Sequence, residues 1–471
     1  MARPNRIRCF GVVAVLAAAA LLSATPAFAS DNTTSEPVDF SEAVRRAFLH
    51  NAAVSVAGFD LEAAKRDVEI ARSFNLPGLS FEEKFVRSSA PAEVFGLKMN
   101  RQRLTAGDFA DPVARFNDPA PLSDFTTSLS LRQPLFAPKA FLGYRMAQRE
   151  AGARGMDAAR TREETVRRVV LAWLGVQTAR EYASVADASL AAAREHHALA
   201  GKIEKAGVGL ASDVLRARVA MAEAESVSVT SMNRLALARQ ALALSMGERG
   251  GTSIDAQGVM PPMPPAGSVE TRIAAARDAR ADLSAIAERV KNASANIDLQ
   301  RAESLPTVGF QAGYQLDGGS PFNPDNRSWN VGVGLNWNLF DGLRKESSTA
   351  RARLESRKAQ EQLRGAGDQA AYEVSAAFLS VSDAESRVAI AREAVTAAEE
   401  GVRLIRSRYE NQLGKMIDLL DAQSALDGAR AGQVRAGNDL RQAQADLEYA
   451  TGTLLPWATQ GIRPEGQGER K

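Results

Sequence analysis

Histidine is scarce in this chain, and its placement bears on any acid–base or metal chemistry the chain could perform. His50 stands alone, while His196 and His197 are adjacent and so point to different sides of a helix, unlike the i, i+4 pair that chelates a metal. The single cysteine, Cys9, lies near the start, so the rest of the chain carries no thiolate ligand and no disulfide framework. Carboxylates are plentiful, but their spacing from arginine is that of a solvated helix face. Gly332 and Gly334 resemble a phosphate loop only in composition, because they sit inside a strand pattern with no helix start after them. With no nucleophile motif and no Walker loop, the expectation is a protein that is not an enzyme and holds no cofactor and no metal. The 58 basic and 56 acidic side chains give a net charge of +2, which argues against a polyanionic partner, so no nucleic acid is expected.

The elements that must position these residues are far more legible. From Trp329 to Leu339 the chain alternates without a fault, with Trp329, Val331, Val333, Leu335, Trp337 and Leu339 against amides and glycines. Period two is a strand, here with one apolar face and one wet face, as a sheet with lipid outside and water inside requires. Trp329 and Trp337 would lie roughly 26 Å apart along such a strand, the spacing of two aromatic girdles after tilt. Residues 1–29 read as a secretory signal: Arg3, Arg6 and Arg8, an apolar stretch from Gly11 to Leu22, then Ala27-Phe28-Ala29. Cys9 precedes that stretch, so no acyl anchor is expected. No later run approaches the ~20 apolar residues of a membrane helix, so strands must carry any membrane contact.

The chain also repeats itself once. At a constant offset of 205 residues Trp173 falls on Phe378, Asp213 on Asp418, Leu235 on Leu440 and Gly247 on Gly452. Leu135-Phe136 matches Leu339-Phe340, and Leu76-Pro77 matches Leu305-Pro306, which leaves the segment between those signals 25 residues longer in the first half. Each half reads as helix, strand, loop, strand, long helix, helix. The first repeat is expected over 30–250, a Pro/Gly-rich linker over 251–267, the second repeat over 268–455 and a flexible tail over 456–471. Strands are predicted at about 77–87, 125–135, 307–316 and 329–339. Glu83 falls on the face that Leu79, Phe81 and Phe85 make apolar. Thr307–Leu316 places Phe310 and Tyr314 on its apolar side. The connection from Ser88 to Asp124 is expected to be a long polar loop.

The remaining segments are helices too long for a globule. Lys139–Glu204 and Leu343–Tyr409 would each be roughly 100 Å long if continuous. In the second, Val374, Ala377, Val381, Ala384, Val388, Ala391, Val395, Ala398, Val402, Ile405 and Tyr409 form a coiled-coil seam. Shorter helices are expected at about Ser41–Ser73, with Ser41 as N-cap, and at Ala211–Met246, Ser268–Ser304 and Met416–Thr451. Each is near half the long length, so two stacked end to end could pair with one long helix. Four strands cannot close a membrane barrel, and an open sheet edge cannot face lipid, so the chain must oligomerise.

This pattern resembles the TolC-like outer-membrane efflux proteins over about Phe40 to Leu455. The resemblance is carried by the duplicated layout, S-L-P-T before a strand, N-L-F-D-G after one, and the hairpin signals G-V-G-L-A-S-D-V-L-R-A and Y-E-N-Q-L-G-K-M-I-D-L-L-D-A. It implies an α+β membrane protein, a homotrimer whose four strands per chain build a 12-stranded transmembrane β-barrel in outer-membrane lipid. A long periplasmic α-helical coiled-coil barrel would continue below it. The resemblance also implies a duct for drugs, metals or proteins that docks a periplasmic adaptor protein and an inner-membrane pump. It places a periplasmic aperture at Asp418, Asp421, Tyr409 and Lys415, where three copies would set six carboxylates around one axis. Adaptor contact would fall on Gly207, Gly209, Asp213 and Gly414, and the lipid-facing girdle on Trp329, Trp337, Tyr314 and Phe310. Two departures stand out: the glycine present as Gly207 is Gln412 in the second half, and the arginine some members carry before the first aspartate is Gly414, with Lys415 the neighbouring cation. For Asp418 and Asp421 the plain alternative is a pair of solvated charges near a helix start, and for Tyr409 the last seam residue. The competing functions are a periplasmic structural or adaptor-like coiled coil, and a receptor or adhesin working through the 88–124 loop.

Overall fold

In the computed structural model, which describes residues 35–110 and 117–460, the chain opens with β1 (Glu36–Val38), α1 (Phe40–His50) and α2 (Ala52–Ser73). It enters a sheet through β2 (Gly78–Ser88), passes α3 (Pro91–Asn100) and returns through β3 (Leu122–Phe136). The 68-residue α4 (Pro138–Lys205), the 36-residue α5 (Ala211–Met246) and β4 (Ile254–Ala256) follow. The second half runs through α6 (Val269–Ala279), α7 (Ala281–Arg301), β5 (Thr307–Gly318) and β6 (Asn326–Asn336). It ends with the 67-residue α8 (Arg344–Glu410), the 36-residue α9 (Met416–Thr451) and α10 (Leu454–Ala458). The signal expected over 1–29 lies outside the described residues.

Half-length helices do stack end to end against the long ones. Near its start α4 meets α7, where Asn292 Nδ2 donates to the Met146 carbonyl at 3.1 Å; further along it meets α9, where Thr178 bonds Asn438 at 2.8 Å. The stacking forces two breaks that periodicity did not reveal. The helices expected over 41–73 and 268–304 are interrupted at Asn51 and Arg280, both in extended backbone. Against these breaks sit the ends of α5 and α9: a Cβ on Gly247 would lie 2.4 Å from the His50 carbonyl oxygen, and one on Gly452 3.0 Å from Arg280. Both glycines are left-handed, which satisfies the last helical carbonyls at positions with no room for a side chain. Asn51 caps α2 through its side-chain oxygen and donates to Ser245 O at 2.9 Å, so one residue ties both ends together. The N-cap of α1 is Asp39, which accepts from Glu42 N at 2.7 Å, and not Ser41.

The main core lies at these junctions. Trp173, fully buried, stands edge-on to Phe40 at 5.7 Å, and Phe40 in turn meets Trp457 at 5.5 Å. Trp457 belongs to α10, within the stretch expected to be a tail. The linker over 251–267 contains β4, which pairs in parallel with β1 and buries Val38, Ile254 and Ala256. Asp255 of this pair takes Arg180 and Arg239, each at 2.8 Å. Every position of the seam read from Val374 to Tyr409 is buried or half-buried.

The sheet has the order β2-β3-β5-β6, antiparallel throughout. Its register aligns like with like: Leu79 with Leu131, Phe81 with Leu129, Leu131 with Ala312, Phe310 with Val333 and Tyr314 with Trp329. The opposite face joins Ser80 to Ser130, Ser128 to Gln315 and Gln311 to Gly332. Glu83, the one acid on the apolar face, accepts a hydrogen bond from Thr127 Oγ1 across the strand pair. Strand β6 starts three residues earlier than its alternation suggested and stops at Asn336, so Trp337 and Leu339 lie beyond it. The reason is its partner: β5 begins at Thr307, directly after Pro306, which has no N–H to extend the ladder. The connection expected to be a plain loop instead contains α3 and a 3₁₀ turn at Ala106–Asp108; residues 111–116 of it are outside the described part.

Candidate functional site

Two helix hairpins meet at the end of the molecule remote from the sheet. In the first, Gly207 is left-handed and the N–H groups of Val208 and Gly209 donate to Ile203 O at 3.3 and 3.1 Å. A Cβ on Gly209 would lie 2.7 Å from Glu204 N, so the close return of the chain requires glycine there. In the second, Leu413 N donates to Arg408 O at 2.8 Å and Gln412 takes the left-handed position with φ 60°. Gln412 therefore carries strain that Gly207 avoids. Gln412→Gly is expected to stabilise this hairpin by about 1 kcal/mol, and Gly207→Gln to destabilise the other by a similar amount, both readable as amide-exchange protection of the tips. A Cβ at Gly414 would meet only ordinary contacts at 3.4 Å, so that glycine is not demanded by space.

A small apolar cluster ties the two tips together. Ala200, Ala217, Tyr409, Met416 and Leu419 are buried in one another, with Ile203, Val214 and Ile405 around them. Tyr409, 5% exposed, is a member of this cluster as well as the last residue of the seam. Burial, reinforced by the neighbouring carboxylate of Asp213, pushes its phenol above the ordinary value and keeps it neutral. Asp418 and Asp421 project from the other side of α9 and are exposed, as is Lys415. The Asp418 carboxylate accepts the Lys415 backbone N–H at 3.3 Å, half of a reciprocal cap, since a lysine side chain has nothing to accept with. Among the described residues the Lys415 ammonium has no carboxylate within ion-pair distance, so it makes no latch to either aspartate within one chain.

Asp421 also stands on the rim of a groove of about 850 Å³ between α4, α5 and α9, lined by Leu215, Val219, Val227 and Ile417. On its floor His196 is buried, with Nε2 3.3 Å from Gln423 Oε1; Gln423 bonds Asp427, which also accepts from Ser189 at 2.6 Å. This polar chain across α4 and α9 was invisible in the sequence, because its members are 227 and 238 residues apart.

At the other end the proposed girdle residues separate. Trp329, 76% exposed, and Tyr314 are cross-strand partners on the apolar face, and Phe310 shares that face two rungs along. Trp337, past the strand, donates its indole N–H to Ser304 O at 3.0 Å and so marks the junction of sheet and helices.

The sequence pattern of the outer membrane efflux protein family matches residues 43–248 and 273–453. The chain belongs to that family. It is an outer-membrane exit duct with a large helical part in the periplasm. The proteases secretion protein PrtF of Dickeya chrysanthemi is 22% identical over 87% of this chain and 87% of its own length. The alkaline protease secretion protein AprF of Pseudomonas aeruginosa is 24% identical over 75% and 73% respectively. Among solved structures, the outer membrane protein VceC of Vibrio cholerae shares the fold with a TM-score of 0.72 at 18% identity, covering 88% of this chain and 96% of that one.

Proposed function

We propose that three copies of this chain close a 12-stranded barrel in the outer membrane and continue below it as a helical conduit, through which cargo leaves without any chemistry by the duct. One observation carries the reading: a four-stranded sheet with one largely apolar face, one polar face, and edge strands β2 and β6 that pair with no further strand among the described residues. Lipid cannot satisfy the backbone groups of an edge, so closure by further copies is the available solution, and twelve strands leave room for water. The two halves of each chain, one a repeat of the other, would alternate around the axis. Exposed apolar residues on the free sides of the helices support the same assembly: Tyr372, Leu379, Ile390 and Leu404 on α8, and Val229, Leu237 and Leu244 on α5.

In that assembly the hairpin tips form the periplasmic mouth, where Asp418 and Asp421 ring the axis and favour cations. The tips are also where an adaptor protein would dock and connect the duct to an inner-membrane pump. The names of the relatives include protease secretion proteins, which keeps protein cargo beside small molecules as the exported class. Purified full-length protein in detergent is expected to migrate as a heat-sensitive trimer in SDS gels and to conduct ions in planar bilayers. Asp418→Asn with Asp421→Asn is expected to lower its cation preference. A monomer that stays soluble without detergent and never conducts would favour the periplasmic coiled-coil alternative instead.

A further inference from the structure

The connection between β2 and β3 lies at the end of the sheet remote from the long helices and accounts for the extra length of the first half. Its first part is built, not slack. Lys98 pairs with Asp108 at 2.8 Å, Asp108 accepts from Thr105 N at 2.8 Å, and Phe95 packs edge-on to Phe109. From this unit Arg101 reaches the sheet. Its Nε donates to Asp325 at 2.5 Å, its NH1 donates to Ser123 O at 3.1 Å, and it lies 3.8 Å from the Asp124 carboxylate. Arg103 adds a second bond to Asp325 at 2.6 Å, and Asn326 donates to Asn100 O at 2.7 Å.

The face on which this happens is decided by alternation. Asp124 and Thr126 on β3, with Gln315 and Asp317 on β5, belong to the polar side, and the Thr126 hydroxyl lies between the two carboxylates at 3.1 and 3.2 Å. Elsewhere on that side the residues are exposed or half-buried, yet Asp124 and Asp317 are 0% and 2% exposed and Arg101 5%. Gly319 leaves the space the guanidinium occupies, since a Cβ there would lie 2.7 Å from it.

We propose that residues 91–110 are a lid folded inward over the water-facing side of the sheet, latched by Arg101, and that it narrows the outlet of the duct. The inference rests on the exit-duct reading. Arg101 is the necessary part because covering Asp124 removes its carboxylate from water, and the compensating charge a buried carboxylate needs is the guanidinium 3.8 Å away. Without the guanidinium the Asp124 carboxylate must be rehydrated, and the lid has to lift.

The test is single-channel conductance of the full-length protein in planar bilayers, for wild type, Arg101→Gln and a variant in which residues 92–108 are replaced by a short Gly/Ser connector. Both variants are expected to conduct more than wild type, by about two-fold, as a wider mouth would. The connector variant keeps the question open to refutation should Arg101→Gln fold poorly. A connector variant that conducts like wild type overturns the lid whatever Arg101→Gln does. A wild type and variants that all insert but never conduct overturn the exit-duct reading and the lid with it.

Discussion

Val333→Arg is expected to abolish the heat-sensitive SDS-resistant assembly, leaving monomer in the detergent extract. Val333 is 66% exposed in the single chain, in the middle of β6, cross-strand from Phe310 on the apolar face. Its neighbours on that face of β6 are Val331 and Leu335, neither of which can pair with a guanidinium. On a lipid-facing strand near the bilayer midplane an arginine costs about 2–4 kcal/mol, and the barrel would bear that cost once per copy. The control lies three residues back along the same strand: Asn330→Arg places the same charge on the polar face, where water solvates it, and is expected to assemble normally. Equal behaviour of the two variants would refute the assignment of lipid and water faces, because both carry the same charge on the same strand and point to opposite sides of the sheet.

The second large effect is expected in the core at the helix junctions. Trp173→Ala should destabilise the protein by about 3–5 kcal/mol, seen as an earlier thermal or denaturant transition and as new protease cleavage near the α1–α2 break. Trp173 is fully buried between Phe40 and the β1–β4 pair, where α1, α4, α5 and α10 converge. Its removal empties the site that holds four helices and a strand pair together. Trp173→Phe is expected to cost less, because the cavity it leaves is smaller and an aromatic ring remains against Phe40. Among the described residues the indole N–H has no hydrogen-bond partner, so replacing it forfeits none of those. A phenylalanine variant as unstable as the alanine one would show that the indole contributes something other than packing.

The local periodicities survived in the structure because they are set by local dihedrals. A strand sends successive side chains to opposite faces, so the alternation around Val333 and Leu129 already separated an apolar side from a polar side before any partner strand was known. The Val and Ala seam of α8 is likewise a property of one helix, and all of it is packed. Lengths were legible too, because proline at 77 and 306 and the glycines after α5 and α9 punctuate the chain locally. Where local signal and partner disagreed, the partner won, as when β6 ended at Asn336 for lack of a ladder beyond Thr307.

By itself, then, the sequence determined the two-faced strands, the long helices and the family to which they belong. Only the tertiary structure decided where helices break, how the parallel β1–β4 pair closes the core, how Tyr409 is shared between seam and tip cluster, and which face α3 and Arg101 cover. The physical reason is distance along the chain. Asn51 is held by Ser245, 194 residues away, and Arg101 by Asp325, 224 away. What a helix end or a charge needs for burial is supplied by groups that no local pattern records.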